Sequence, residues 1–265
     1  MSSPQSMGDV LGEGTSAEVL AVCIDHNMVA VKIFKREYAE NAKFELEHLG
    51  KLDHPHLNSL MPPRTQAAAQ DLFPGRTVIA LELCVPVKRR MQASICMAKW
   101  CVQLAEAVRY LHAQSVMHCD VKPENVYVNL ESESIQLGDL GLASKSPILS
   151  QYCQSPPYAP PEASTRGQLV TFPADVWSLM VTLLEMVSNV HVFPYEERGE
   201  ALKNIVSEPI RDKDAFFSRI KAPDCLKDLA SIVLRPAEER PCIDEVAAFL
   251  TAKLGATGLD TNIFV

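Results

Sequence analysis

The sequence has few basic residues for its length, and this limits the partners that we expect it to bind. Its 265 residues include 25 Lys and Arg against 33 Asp and Glu, which gives a formal net charge of -8. The densest basic cluster is Lys88–Arg90. Because binding of nucleic acid needs clustered cations that neutralise phosphates, we expect no nucleic-acid partner.

The sequence also lacks the features of a secreted or membrane-spanning protein. The stretch MSSPQSMGDV has neither the basic nor the apolar region of a secretory signal. The longest apolar stretch, VWSLMVTLLEMV, is too short to cross a bilayer and contains Glu185. The eight cysteines form no Cys-x-x-Cys pair, and most lie in apolar stretches, as reduced thiols do. We therefore expect an intracellular protein of the cytoplasm or nucleus, with no membrane partner.

The pattern along the chain changes near residue 90. Before it, short β-like runs alternate with turns around one helical stretch, YAENAKFELEHLGKL. After it, ASICMAKWCVQLAEAVRYLH places apolar residues at helical spacing, and the remainder is mainly helical. The sequence predicts one α+β domain over residues 1–265. A small β-rich amino-terminal lobe with one helix (about 7–83) would be joined by a hinge (about 82–88) to a larger α-helical lobe (about 89–255).

Two early stretches are typical of a phosphate site. LGEGTSAEV contains Gly12 and Gly14, and glycines let backbone N–H groups approach an anion, although a simple β-turn is the more common explanation when such a pair stands alone. In VAVK, the two-residue period of a strand turns Ala30 and Lys32 to the same side. A small side chain and an ammonium group would then face one cleft.

A lysine that faces inward needs an anion. The helix that follows carries Glu45 and Glu47, either of which would otherwise belong to a solvated face. We predict an ion pair between Lys32 and Glu45, because a partly buried lysine without a partner is unfavourable. Glu47 is predicted to be exposed.

Further motifs follow in order: HCDVKPEN at 118–125, GDLG at 138–141, PPE at 160–162 and DVWSL at 175–179. Together with the glycine-rich stretch, VAVK and Glu45, they make the chain resemble the eukaryotic-type protein kinases over residues 10–250. The resemblance implies the bilobal kinase fold. It also implies a phosphotransferase that uses ATP and Mg²⁺ to phosphorylate serine or threonine in protein substrates.

The resemblance implies catalytic roles for four residues: Lys32, Glu45, Asp120 and Lys122. Lys32 would hold the α- and β-phosphates and Glu45 would orient it, while Asp120 would accept or orient the proton of the substrate hydroxyl. Lys122 would lie near the transferred phosphate. Asn125 and Asp139 would bind magnesium through oxygen atoms, which this hard cation prefers.

The resemblance also implies a set of ATP-binding residues: Leu11, Gly12, Glu13, Gly14, Val19, Ala30, Lys32, Leu81, Glu82, Cys84 and Tyr127. Leu81 would be the gatekeeper of the adenine pocket, and Tyr127 would form its floor. The backbone of Glu82 and of Cys84 would bind the adenine edge.

Three residues are candidates for contact with a protein substrate: Ser155, Glu124 and Glu185. Ser155 stands where the serine/threonine-specific branch has a hydroxyl residue. The two glutamates match positions that contact an upstream arginine in basic-directed relatives, so we expect a preference for basic sequences; simple surface charge explains them equally well. The sequence predicts no oligomeric state.

The resemblance also implies two structural pairings. Glu162 is expected to form a buried ion pair with Arg240, and Asp175 is expected to hold the backbone of the catalytic loop. Leu140 replaces the phenylalanine that is commonest in DFG and is expected to remain an apolar plug.

Cys119 replaces an arginine that grips an activation-segment phosphate in many relatives. A neutral thiol cannot make that charge-assisted contact, so we expect activity without phosphorylation of the segment Asp139–Glu162. The alternative is a kinase-fold pseudokinase or scaffold that binds nucleotide or partners without turnover; the intact phosphate- and metal-binding set disfavours it. So compact a kinase would also suit a viral genome, in which case it would act in a host cell.

Overall fold

The computed structural model describes residues 8–87, 97–145, 155–164, 170–194 and 204–255. These residues form two compact units. The first contains the described residues up to Val85 together with Asp139–Gly141. The second contains the described residues of Pro86–Gly138 and those from Leu142 onward. The expected α+β class is confirmed, since the first unit is built around a sheet and the second is mainly helical.

The first unit contains one four-stranded antiparallel sheet in the order β1-β2-β3-β4. Its strands are β1 (Val10–Glu13), β2 (Ala17–Ile24), β3 (Asn27–Phe34) and β4 (Thr77–Glu82). Strands β2 and β3 are joined by Asp25 and His26, whose φ angles of 49° and 66° are both positive. Two positive φ angles characterise the tight hairpin turn whose twist matches that of the strands.

Each face of this sheet is covered by a helix. On one face, Ala42 of helix α1 (Ala39–Leu49) packs with Phe34 and Ile79. On the other face, Ala69 of helix α2 (Pro63–Leu72) packs against a cluster that includes Val29 and Val31. Because side chains alternate along β3, Lys32 lies on the side of the strand opposite to Val29 and Val31.

Helix α2 corrects the expectation of a single helix in the amino-terminal lobe. The sequence Met61-Pro62-Pro63 suggests a turn, but Pro63 occupies the first turn of α2. A proline is tolerated there because its missing N–H group would have no intrahelical partner. Three consecutive alanines at 67–69 then favour the helix.

The second unit contains six described helices and a small sheet. The helices are α3 (Met97–Ala113), α4 (Pro173–Ser188), α5 (Glu208–Arg211), α6 (Lys213–Ser218), α7 (Asp224–Val233) and α8 (Ile243–Leu250). The sheet order is β5 (Val85–Pro86), β6 (Val126–Asn129) and β7 (Ser134–Leu137), with the division between the units falling inside β5. The apolar stripe predicted on α3 is buried, including Trp100, Leu104 and Leu111.

Helix α4 is the central helix of the second unit, and it is buried along nearly its whole length, polar residues included. Ser178 donates to the carbonyl oxygen of Tyr158 at 2.8 Å, and Thr182 donates to that of Val121 at 3.2 Å. The helix ends at Asn189, whose φ of 54° is left-handed, as at many helix ends. These bonds tie the loops around the candidate site to one rigid element.

No helix in the described part of the chain combines the length and the apolar character needed to cross a bilayer.

Candidate active site

Lys32 on β3 lies between two carboxylates in the first unit. Its Nζ atom is 3.0 and 2.8 Å from the two carboxylate oxygens of Glu45, so the predicted ion pair is present. The same atom is 2.9 Å from Oδ1 of Asp139. The Glu45 side chain is 1 % exposed and that of Asp139 is 42 % exposed. Glu45 is therefore an internal anchor, whereas Asp139 keeps access to solvent and to a ligand.

The charge of Lys32 is maintained by these neighbours. Burial by itself lowers the pKa of this ammonium group, but the carboxylates of Asp139 and Glu45 outweigh that effect and raise the pKa. Burial raises the pKa of Glu45, and the Lys32 ammonium opposes this. Lys32 is consequently a permanent cation at physiological pH, as a phosphate ligand must be.

The turn between β1 and β2 has the open surface that an anion needs. A Cβ atom on Gly12 would meet nothing within 4 Å, and one on Gly14 would meet only the carbonyl oxygen of Ala17, at 3.5 Å. The N–H of Gly14 donates to that oxygen at 2.8 Å. Lys35 also donates from Nζ to the carbonyl oxygen of Gly14 at 3.1 Å. Lys35 could not be predicted from the sequence, because nothing in the motif connects it to the turn.

Strand pairing brings several of the predicted nucleotide contacts together in the first unit. Ala30 on β3 is the register partner of Leu81 on β4, and Val19 on β2 is that of Lys32. Glu82 closes β4. The candidates from the glycine turn to the end of β4 thus share one small sheet.

In the second unit, Asp120 is the centre of a compact polar cluster. Its Oδ1 atom accepts from the N–H and the hydroxyl of Ser155 at 3.1 and 3.0 Å. Its Oδ2 atom is 2.6 Å from the ammonium of Lys122, which also donates to the Ser155 hydroxyl at 2.7 Å. Asn125 donates from its amide nitrogen to Oδ2 at 3.1 Å and to the Asp120 carbonyl oxygen at 2.8 Å. The structure therefore joins Ser155 to the predicted catalytic residues.

Asp175 at the start of α4 fixes the backbone of the loop that precedes Asp120, as predicted. Its carboxylate accepts from the N–H of His118 at 2.8 Å and from that of Cys119 at 2.9 Å. Burial by itself raises the pKa of Asp175, but the hydrogen bond and charge of His112 and the bond from His118 outweigh it and lower the pKa. His112 lies 2.9 Å from the carboxylate. This histidine could not be predicted from a local motif, because 63 positions separate it from its partner.

Cys119 is enclosed by its own loop. It is 1 % exposed and has a positive φ of 65°. Its Sγ atom lies 3.7 Å from the carbonyl oxygen of Met117. Met117 and Ser144 exchange two backbone hydrogen bonds of 2.8 Å each. The start of the activation segment is thus held to this loop by backbone bonds, and the thiol is turned away from solvent.

Glu162 and Arg240 form the predicted ion pair, in which the arginine is buried and the glutamate is partly buried. The Arg240 side chain is 0 % exposed and donates to both Glu162 carboxylate oxygens, with a distance of 2.7 Å for the second contact. Its guanidinium also lies over the ring of Trp177, 4.8 Å from the ring centroid. This pair attaches the end of the activation segment to the helical unit.

The remaining candidates differ in their accessibility. Glu124 is exposed, and Tyr127 on β6 is partly buried. Glu185, expected to contact substrate at the surface, is 3 % exposed and accepts from the Tyr158 hydroxyl at 3.0 Å. His191 lies 2.9 Å from the same carboxylate. The position of Glu185 on α4 turns its side chain inward. Glu185 is therefore buried, whereas Glu124 is exposed. Leu140 is buried, as expected of an apolar plug.

Some predicted features lie outside the described residues, namely the basic cluster Lys88–Arg90 and the activation-segment serines Ser146 and Ser150.

The predicted magnesium ligands have the chemistry that this ion needs. The Asp139 carboxylate is accessible, and the amide nitrogen of Asn125 is committed to Asp120, which leaves the amide oxygen as its ligand atom. Both are hard oxygen donors of the kind that bind Mg²⁺ alongside ATP phosphates. Within the described residues, no three His, Cys, Asp or Glu side chains cluster as a metal site of their own.

Comparison with known proteins agrees with this arrangement. Serine/threonine-protein kinase kin-29 of Caenorhabditis elegans is 26% identical over 252 residues, which cover 88% of this chain and 29% of that protein. Serine/threonine-protein kinase STK11 of Homo sapiens is 28% identical over 223 residues, covering 75% of this chain and 50% of that protein. CBL-interacting serine/threonine-protein kinase 12 of Arabidopsis thaliana is 30% identical over 220 residues, covering 75% of this chain and 44% of that protein.

The chain therefore spans half or less of the length of these relatives. They come from a nematode, a human and a plant, and so give no support to a viral origin. The family model described as protein kinase domain matches residues 6–248. With Lys32, Glu45 and Asp139 grouped in one unit and Asp120, Lys122 and Asn125 in the other, the chain belongs to the protein kinase domain family.

Proposed function

We propose that this chain is an ATP-dependent serine/threonine protein kinase that transfers the γ-phosphate of ATP to hydroxyl groups of protein substrates. The observation that carries the proposal is the cluster of Asp120, Lys122 and Ser155, in which a carboxylate and an ammonium group meet the same hydroxyl. The Ser155 hydroxyl supports the proposal, because an alcohol oxygen there lies within hydrogen-bonding distance of both Asp120 and Lys122. The names of the relatives support the same activity.

Phosphoryl transfer mainly requires charge neutralisation and alignment. Magnesium, when bound, would neutralise charge on the phosphates, and Asp139 and Asn125 would hold it through oxygen atoms. Lys32 would bind the α- and β-phosphates while Glu45 keeps its ammonium in place, since the buried carboxylate has Lys32 as its cationic partner. The glycine turn would contact the phosphates with backbone N–H groups.

The residues around Asp120 would act on the substrate hydroxyl. The Asp120 carboxylate would accept its proton, and Lys122 would stabilise negative charge on the transferred phosphate. Ser155 would position both, because it bonds to each of them. Asn125 would hold the Asp120 carboxylate through its amide nitrogen.

The adenine contacts remain part of this proposal. Ala30 and Val19 would cover the base, Leu81 would be the gatekeeper, and the backbone of Glu82 and Cys84 would bind the edge of the base. Leu11, Glu13 and Tyr127 would line the same site. The register pairing of Ala30 with Leu81 supports the first part of this assignment.

We also propose that activity does not require phosphorylation of the activation segment. Cys119 is buried, and a cysteine side chain offers no cation to a phosphate. The backbone bonds between Met117 and Ser144 hold the start of the segment without any phosphate. In relatives that need phosphorylation, the phosphate orders the activation segment. In this chain, backbone hydrogen bonds would order the start of that segment instead.

A preference for basic substrates is the finer part of the proposal. Its support is the exposed carboxylate of Glu124 and the net charge of -8. Glu185 supports it less, because its carboxylate already binds Tyr158 and His191. Glu124 is accordingly the residue on which this preference would depend.

An intracellular location, in cytoplasm or nucleus, is also part of the proposal. Cys84, Cys101 and Cys119 are buried among apolar residues, where reduced thiols commonly pack as small hydrophobic side chains.

The experiment that tests the proposed activity is magnesium-dependent transfer of labelled phosphate to a generic basic protein, with wild type compared with Asp120→Asn. We expect transfer by the wild type and a loss of at least about 100-fold in the variant, since asparagine cannot accept the proton. Binding of ADP without any transfer would instead favour the pseudokinase alternative. Equal incorporation by both proteins would contradict the proposed role of Asp120.

A further inference from the structure

The outer edge of strand β4 is held by two side-chain amides. One edge of β4 pairs with β3. On the other edge, Gln66 of α2 donates to the carbonyl oxygen of Ala80 at 2.5 Å and accepts from its N–H at 2.9 Å. Two residues later, the N–H of Glu82 donates to the carbonyl oxygen of Ser59 at 3.0 Å. The amide nitrogen of Asn58 donates to the carbonyl oxygen of Glu82 at 3.2 Å.

Asn58 is the unusual member of this set because it is a polar residue in the core. It is 7 % exposed, and its neighbour Leu57 is 3 % exposed. A buried amide is retained only where its hydrogen bonds are made. Its nitrogen also lies 3.9 Å from the Sγ atom of Cys84. One side chain thus reaches both residues whose backbone is proposed to bind the adenine edge.

The contact with Cys84 does not introduce a charge. Burial raises the pKa of the Cys84 thiol to about 12, so it stays protonated at physiological pH. The interaction that Asn58 can make strongly is therefore the one with the Glu82 carbonyl.

We propose that Asn58 is a positioning residue that sets the purine selectivity of the nucleotide site, by holding the Glu82 carbonyl group in the orientation of a hydrogen-bond acceptor. The inference rests on the proposed function, in which the backbone of Glu82 meets the edge of the base. Because a peptide unit carries its C=O and its N–H on opposite sides, rotation of the unit after Glu82 would replace an acceptor by a donor. The Asn58 amide nitrogen can only donate, so it stabilises the acceptor orientation.

The two orientations select different bases. An acceptor favours a purine with a 6-amino group, which is a donor, whereas a backbone donor favours a 6-oxo group. A carbonyl oxygen has two lone pairs, so a bond from Asn58 is compatible with a second bond from a base. Asn58 would thereby favour adenine nucleotides over hypoxanthine and guanine nucleotides.

Gln66 provides a matched control. It is also an amide on the same edge of β4, but the backbone group that it holds belongs to Ala80, two residues before Glu82. Loss of either amide removes support from β4. Only loss of Asn58 is expected to change which purine is preferred.

The test is binding of ADP and of inosine diphosphate to the full chain, measured by calorimetry in the presence of magnesium. These ligands differ only at the 6-position edge of the base. For the wild type we expect ADP to bind at least about 10-fold more tightly. Asn58→Leu, which keeps the size of the side chain, is expected to reduce that ratio at least about 5-fold through weaker ADP binding. Gln66→Leu is expected to lower the melting temperature and leave the ratio unchanged.

Asn58→Ala provides a second variant where leucine disturbs folding, since it removes the donor without adding bulk. An unchanged ratio in a folded Asn58 variant would overturn the inference and leave the proposed kinase function intact. An equal fall of the ratio in Gln66→Leu would also overturn it, because the cause would be general loosening of β4. A wild type that neither binds ADP nor transfers phosphate would overturn both proposals.

Discussion

Arg240 holds both carboxylate oxygens of Glu162 while its guanidinium lies over the ring of Trp177, so one side chain joins the end of the activation segment to the central helix α4. The arginine side chain is 0 % exposed and that of the glutamate is 16 % exposed. A pair of this kind adds little to the stability of the fold compared with apolar residues of similar size. Removal of one partner, however, leaves the other charge uncompensated and destabilises the protein. The segment that ends at Glu162 therefore depends on a residue 78 positions away.

We predict that Arg240→Met lowers the free energy of unfolding by about 3 kcal/mol, because the partly buried Glu162 carboxylate loses its partner. Urea denaturation of the two proteins measures this difference. Arg219→Met is the control, since Arg219 and Glu208 form a more exposed pair whose loss is expected to change stability by less than about 1 kcal/mol. Equal effects in both variants would contradict the assignment of a special role to Arg240.

We predict that Glu45→Gln reduces kcat by about 100-fold with a smaller change in melting temperature, because Lys32 loses the carboxylate that positions it. Steady-state kinetics at saturating ATP measures the effect. Glu47→Gln on the same helix α1 is the matched control, since Glu47 pairs with Lys51 at the surface. A Glu45 variant as active as the control would show that Asp139 alone suffices to hold Lys32.

The lowered pKa of Asp175 predicts a dependence of stability on pH. A carboxyl group whose pKa is lower in the folded state stabilises the fold above its unfolded value, here about 3.8, and this stabilisation is lost as the pH falls through the folded value. Asp175→Asn is thus expected to lower the free energy of unfolding by about 2 kcal/mol at neutral pH, because the variant loses the charge-assisted bonds to His118 and Cys119. The difference in stability between the wild type and Asp175→Asn should become smaller below pH 3.8, as the wild-type carboxylate is protonated.

Melting temperatures of wild type and Asp175→Asn, recorded from neutral pH downward, check this prediction. Asp244→Asn serves as a control at an exposed carboxylate. A constant difference between wild type and Asp175→Asn down to the lowest pH would show that the stabilisation does not come from the ionised carboxylate.

We predict that simultaneous replacement of Ser144, Ser146 and Ser150 by alanine leaves kcat within about 3-fold of the wild type. The backbone bonds of Ser144 survive the change, and the buried Cys119 thiol offers no partner to a phosphate. Turnover of a peptide substrate measures the outcome. Abolished turnover, with the protein still folded, would show that a phosphate on the segment is needed after all.

We predict that Glu124→Gln reduces the preference for peptides with upstream arginine by about 3- to 5-fold, as expected for one solvent-exposed charge contact. A peptide array that compares arginine with alanine at each upstream position measures the preference. Glu131→Gln, at an exposed carboxylate in another loop, is the control. If the wild type itself shows no loss of signal when upstream arginines are replaced, the basic preference is wrong.

The catalytic roles were predicted from the resemblance to protein kinases, whose motifs are short stretches of sequence. The order His118, Asp120, Lys122, Asn125 is local, and the two-residue period of a strand places Lys32 on one side of β3 whatever surrounds it. The Lys32–Glu45 pair could be predicted because it joins neighbouring elements, and the Arg240 and Asp175 contacts because the family resemblance names them. Helix α2 was missed because the prolines that begin it look like a turn when seen without their context.

The tertiary structure alone decided the contacts that join distant parts of the chain. It buried Glu185 with its carboxylate in contact with Tyr158 and His191, and it paired His112 with Asp175. It also brought the amide nitrogen of Asn58 within hydrogen-bonding distance of the carbonyl oxygen of Glu82. Nothing in a local motif encodes such pairings, because each depends on how a helix face or a strand edge is oriented in the folded unit. Residue types and spacings thus predicted the chemistry proposed for this chain, whereas packing determined which of its polar side chains are accessible and which hold the backbone in place.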